Sequence, residues 1–183
     1  MLEMEYRIAA GSAEAEELNI SGYAAMFDSP SLPLMHRGQR VIETIDPHAF
    51  DRSLQSGENV SMYWAHGAGM PIANTRSGTL TLSTDDRGLK FQASLANTSL
   101  ARDAVALVRS GVVSHMSFGF TTRTDTLQGD ARRLMDVDLG EISLVEHPAY
   151  LATVAEAREF SLCPLTRTQL RLRALIRRNH ASR

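Results

Sequence analysis

The chain has 183 residues, 43% hydrophobic and 22% charged, with a net charge of −2. That balance suits one folded domain with a sizeable core, and it argues against recognition of nucleic acid or membrane through bulk charge. The single cysteine, Cys163, excludes an internal disulfide framework and fits a reducing compartment, and no apolar run reaches the ~20 residues of a membrane span. The N-terminal MLEMEYRIAA is too acidic and short for a signal peptide, so the expected location is the cytoplasm.

Residues 4–10 read as a first strand and 11–17 as a small acidic loop. Residues 18–27 alternate as a second strand, with Gly22 as a candidate bulge. Residues 28–38 are a loop with Pro30, Pro33 and His36, followed by a strand at 40–45. Asp46-Pro47 has the form of a helix N-cap with proline at the first helical position, which predicts a helix over 47–56 burying Phe50 and Leu54 and stopping at Gly57. Residues 59–65 are strand-like and deliver His66 into the loop 67–71.

The clearest hairpin is 79–84 and 89–95 around Asp85-Asp86-Arg87-Gly88. Thr98 or Ser99 can cap a helix over 100–110, with Ala104, Leu107 and Val108 inward and Gly111 as its stop. The segment VVSHMSFGF at 112–120 alternates as a strand carrying Ser117. A polar turn at 125–130 and two short strands, 133–137 and 140–145, follow, separated by Asp138-Leu139-Gly140. Residues 152–160 read as strand or helix. From Arg158 onward there are seven arginines and one acid, Glu159, and 166–179 is an arginine-rich helical segment. Many short strands with two inserted helices predict a mainly β, α+β fold, a barrel or folded-over sheet rather than a βαβ alternation. We place a folded domain at 1–160 and a basic tail at 161–183.

Three residue types suit a serine hydrolase, which needs a nucleophile, a base and an acid that orients the base. Ser117 sits on a strand between apolar neighbours, a rigid platform. His66 ends a strand and enters a loop, so its ring can be anchored and still reach a cleft. Glu141 is the acid in the apolar first half of EISLVEHPAY, where a carboxylate needs a partner. Each also has an ordinary structural reading: a strand serine bonded to its neighbours, a turn histidine, a carboxylate paired with an arginine such as Arg133. His147 competes with Glu141 as third member, giving a Ser-His-His arrangement. His115 is two residues from Ser117 and reads as a cleft-wall or core residue. Histidines 66, 115 and 147 lack the spacing of a zinc site, so no metal or other cofactor is expected, and Cys163, beside Pro164, does not read as a nucleophile.

Six segments, in order, resemble the caudovirus prohead protease family: GYAAMFDSP, ETIDPHAFDRSL, MYWAHGAGMPIANT, DDRGLKFQASL, RDAVALVRSGVVSHMSFGF and EISLVEHPAY, running from about Gly22 to Tyr150. The resemblance implies a herpesvirus assemblin-like β-barrel surrounded by helices. It implies a serine endopeptidase with His66 as base, Ser117 of SFGF as nucleophile and Glu141 as the acid. Where many relatives have threonine and an aromatic residue before the proline, this chain has Glu146-His147, which keeps His147 in contention. The implied substrates are the scaffolding segment of the major capsid protein and the protease itself, cut inside the immature capsid in the host bacterium's cytoplasm. Self-association is a further expectation; no membrane or specific nucleic-acid partner is. A catalytically inactive scaffolding protein that keeps the fold is the alternative reading.

Overall fold

The computed structural model describes residues 18–67, 70–146, 150 and 153–157. The expected strand at 4–10, the tail, His147 and Cys163 lie outside the described residues.

Two sheets enclose the core. The first has the order β10-β1-β7-β6, from β1 (Leu18–Met26), β6 (Leu80–Thr84), β7 (Gly88–Leu95) and β10 (Val154–Ala157), with antiparallel neighbours throughout. Its alternation follows the sequence: in β7, Leu89, Phe91, Ala93 and Leu95 face inward while Lys90, Gln92 and Ser94 face solvent. The β6–β7 turn is held by the Asp85 carboxylate, which accepts from the N–H groups of Arg87 and Gly88. The bulge in β1 falls between Tyr23 and Ala25, not at Gly22. There Gly88 meets the strand so closely that a Cβ on it would stand 2.1 Å from the Ala25 carbonyl oxygen, which is why this position has no side chain.

The second sheet is built on β9 (Ala131–Val145). One edge of β9 pairs from end to end with β8 (His115–Gln128) in a long antiparallel hairpin. The other edge is shared in succession by β3 (Gln39–Ile45), parallel to residues 131–134, and β4 (Ser61–Trp64), parallel to residues 141–144. β2 (Leu34–His36) extends the sheet beyond β3, and β5 (Pro71–Asn74) extends it beyond β4. Between β3 and β4 the open edge of β9 is covered by the segment around α1 (Asp51–Gln55): Val137 N–H donates to Ala49 C=O at 3.0 Å and Leu139 N–H to Ser53 Oγ at 2.9 Å. The backbone of β9 therefore stays satisfied where it has no neighbouring strand.

The expected helix over 47–56 is shortened to α1. Asp46 accepts from His48 N–H as a cap should, but residues 47–50 form turns and Phe50 precedes the helix. Helix α2 (Ser99–Arg109) matches its expected span, capped by Thr98 Oγ1, which accepts from Ala101 N–H at 3.1 Å. The strands expected at 133–137 and 140–145 are one strand. What reads as a connection is a bulge: Gly119 pairs with Glu141 and Phe120 with Leu139, so Gly140 has no opposite residue. Neither short strand was expected: β2 lies in the stretch 28–38 read as a loop, and β5 begins at Pro71, where the expected loop 67–71 ends.

The core lies between the sheets, with Ile20, Leu89 and Phe91 from the first, Met62, Met116, Ile142 and Leu144 from the second, and Phe50 from the segment before α1. The fold is mainly β with few helices, as expected. The expected closed barrel is not formed among the described residues. The sheets are joined beside β8 by bonds from Ala155 N–H to Ser114 C=O and from Met116 N–H to Thr153 Oγ1, rather than by a ladder. No helix among the described residues is long and apolar enough to cross a membrane.

Candidate active site

Register places the chemistry-bearing residues together. Ser117 pairs with Ser143 and Gly119 with Glu141 across β8–β9, while Ser61 pairs with Glu141 and Tyr63 with Ser143 across β4–β9. Cross-strand partners share a face, so Ser117, Gly119, Glu141 and Ser143 all lie on one side of the sheet. The other side carries the buried Met62, Met116, Phe118, Ile142 and Leu144. Ser117 and Glu141 are thus mounted, partly exposed, on the face of the β8–β9 ladder opposite these core residues.

His66 reaches this face by a reversal of the chain. Ala65 N–H still donates to Leu144 C=O, continuing the β4–β9 ladder, but Ala65 and His66 then take φ of 48° and 53°, and Gly67 N–H closes back on Trp64 C=O at 2.8 Å. Two successive left-handed non-glycine residues are costly and mark a constrained turn. The turn directs the imidazole back along the sheet, where its Nδ1 lies 2.6 Å from Glu141 Oε1. The histidine and carboxylate side chains are 47% and 30% exposed, so the pair is open to solvent and substrate.

Glu141 has further neighbours that the sequence reading did not single out. Ser143, fully buried, donates from Oγ to Glu141 Oε1 at 3.4 Å. Gly119 supplies the room: a Cβ there would stand 2.6 Å from Glu141 Cγ, so the glycine of SFGF is the seat across which the acid lies. A glycine inside a strand between two aromatic residues was the available signal, since such positions mark close approach by another group. The ordinary alternative for the acid, pairing with Arg133, is not what occurs. Arg133 bonds Asp28 and Asp46 instead.

The structure therefore brings His66 and Glu141 into contact and puts Ser117 on the same face. The Ser117 hydroxyl has no hydrogen-bond partner among the described residues. His115 stands opposite Val145, its Nδ1 3.2 Å from Ser114 Oγ, and makes no contact with the pair.

Residues 4–167 match the family described as caudovirus prohead serine protease. The chain belongs to the caudovirus prohead serine protease family. No curated protein sequence matches it. Among solved structures it is similar to a crystal structure of KSHV protease in complex with a hexapeptide phosphonate inhibitor, at 12% identity and a TM-score of 0.49, covering 90% of this chain and 76% of that one. Membership extends the family's reach over the whole β8–β9 hairpin and over the His66 turn, both inside the matched residues.

Proposed function

We propose that this prohead protease is a serine endopeptidase in which Ser117 is the nucleophile, His66 the general base and Glu141 the acid that orients the base. The observation that carries this is the 2.6 Å bond between His66 Nδ1 and Glu141 Oε1 on the face that presents Ser117. With Nδ1–H donating to the carboxylate, Nε2 is left with the lone pair, the tautomer a general base needs. His66 Nε2 takes the Ser117 proton as Oγ bonds to the peptide carbonyl carbon. Glu141 stabilises the imidazolium, and Nε2–H then passes the proton to the departing amine as the C–N bond breaks. Water, deprotonated by the same nitrogen, cleaves the ester and restores Ser117. Glu141 is preferred over His147 because its bond to His66 occupies the orienting position.

The substrate we assign is the scaffolding segment of the major capsid protein, cut inside the immature capsid, and the protease itself. Confinement in a shell raises effective concentration, so weak binding of each site suffices. The arginine-rich stretch 165–183 is proposed as the element that brings the protease into the shell, and its deletion should reduce the protease content of immature capsids.

Co-expression with the neighbouring capsid protein, comparing wild type with Ser117→Ala by intact mass, tests the assignment. N-terminal shortening of the capsid protein only with wild type is the expected result. Identical shortening in both removes Ser117 as nucleophile, and none in either supports the inactive scaffolding reading.

A further inference from the structure

We propose that the cavity beside Ser117 selects one side chain of the peptide substrate, and that it takes an uncharged, apolar side chain of about leucine or methionine size. This rests on Ser117 being the nucleophile. The cavity, of about 190 Å³, is lined by Ser117 together with Leu34 of β2, Val41 of β3 and Phe118 and Phe120 of β8. It is smaller than the several hundred Å³ of a typical small-molecule site and suits a single side chain.

Charged groups also line it, but they are already used. Glu43 accepts from Tyr150 Oη at Oε1 and from Arg132 at Oε2, both at 2.5 Å. Arg132 also donates to Asp125 at 2.7 Å and to Thr122 at 2.9 Å. The Glu43 and Arg132 side chains are 3% and 8% exposed, and their charges cancel. Burial, and then the neighbouring Glu43 carboxylate, push the Tyr150 phenol far above its usual range, so it remains a neutral donor. His36, the other ionisable lining residue, lies 3.9 Å from Asp125. A substrate ammonium or carboxylate entering here would lose its hydration without gaining a free counter-charge, whereas an apolar side chain only displaces water from aliphatic and aromatic walls.

The backbone of β8 gives the peptide a way to lie. Met116 N–H and C=O both face Thr153 Oγ1, away from β9, and Leu144 C=O faces Ala65 on the other side. By strand alternation the N–H and C=O of Phe118 also point to the outer edge. Neither has a partner among the described residues. A peptide extended along that edge passes Ser117 and turns alternate side chains toward the cavity.

The test is a library of capped peptides varied one position at a time, digested by the full chain and read by mass spectrometry. The same library is also passed over immobilised full-length Ser117→Ala protein. The expected profile favours Leu or Met over Lys, Arg, Asp and Glu by roughly tenfold or more at one fixed position within two residues of the cut. Leu34→Ala, which enlarges the cavity from a short edge strand, should move that preference toward Phe and Trp, and Leu34→Arg should abolish it. Equal acceptance of charged residues, or an unchanged profile in Leu34→Ala, overturns the proposal. Apolar-selective retention by the Ser117→Ala protein with no cleavage by wild type would keep the pocket and remove the protease reading. Retention without preference would remove the pocket.

Discussion

The two ends of the β8–β9 hairpin each hold a carboxylate against a nitrogen base, and they hold it in opposite ways. At one end Glu43 is buried, both of its oxygens are occupied, and its partner Arg132 is held in turn by Asp125 and Thr122. At the other end Glu141 meets the ring of His66 through one oxygen in a solvent-accessible setting, with one ring nitrogen of the histidine uncommitted. A saturated buried pair fixes a structure and leaves no group to react. A half-open pair with a titratable member can move a proton. The difference lies in burial and in how many lone pairs and N–H groups remain unspent, not in the kind of residue.

Breaking the open end should cost activity and leave the fold intact. Glu141→Gln replaces the acceptor-only carboxylate that sets the His66 tautomer with an amide that can donate to Nδ1, and in a triad such a change lowers kcat by about 10,000-fold. Cleavage of the capsid protein should fall on that scale while the melting temperature stays within a few degrees. An equal loss of folding would place Glu141 in the structure and not in the chemistry. Breaking the closed end should do the reverse. Arg132→Ala leaves Glu43 buried without its counter-charge, a loss of about 3–5 kcal/mol in denaturant unfolding. Little change in the unfolding midpoint would show that water reaches Glu43 freely.

Gly119→Ala sharpens the comparison because it touches the acid without altering any group that titrates. The added methyl meets Glu141 Cγ at 2.6 Å, so the carboxylate must shift, with a cost of about 1–3 kcal/mol in stability as for other overpacked sites. Turnover should fall further than that stability loss explains, through kcat more than KM. An unaltered kcat would mean that the acid tolerates displacement.

Acid should produce the smallest effect. Arg132 holds the Asp125 carboxyl below its usual range, and Arg52 and then Arg123 do the same for Asp138 against the opposing effect of burial. A depressed folded-state pKa gives stability that is present above the unfolded value of about 3.9 and is lost as pH falls through the folded value. Melting temperature should hold from pH 7 to 5 and decline below about 4. A decline that begins near pH 6 would point to histidine protonation instead.

Much of this was legible in the sequence where local rules act alone. The β6–β7 hairpin followed from Asp85 and Gly88, and helix α2 from Thr98 and Gly111, because cap and turn chemistry is local. The reading failed where pairing at long range decides. β2 and β5 are too short to show a period and exist because β3 and β4 offer edges. Asp138-Leu139-Gly140 carries turn residues yet stays within β9, because β8 and the α1 segment satisfy its backbone from both sides. For the site, Ser117, His66 and Glu141 were visible as residue types, but their joining was not. It depends on a turn with two positive φ angles and on a glycine 22 residues before the acid that it seats. Arg133, offered as a partner for Glu141, proved to serve Asp28 and Asp46.

The unpaired Gly140 is why Leu139 and Ile142, three positions apart on β9, both face the core. A strand keeps parity: every residue added or removed exchanges inside for outside downstream. Gly140 is the exception because it is the extra residue of the bulge: its loss would leave plain alternation, with Glu141 still outward and Ile142 and Leu144 still inward, whereas loss of the paired Ser143 would turn Leu144 onto the opposite face. Around the site, β9 can therefore lose a residue at this one position and keep its inward face, but not at its paired neighbours.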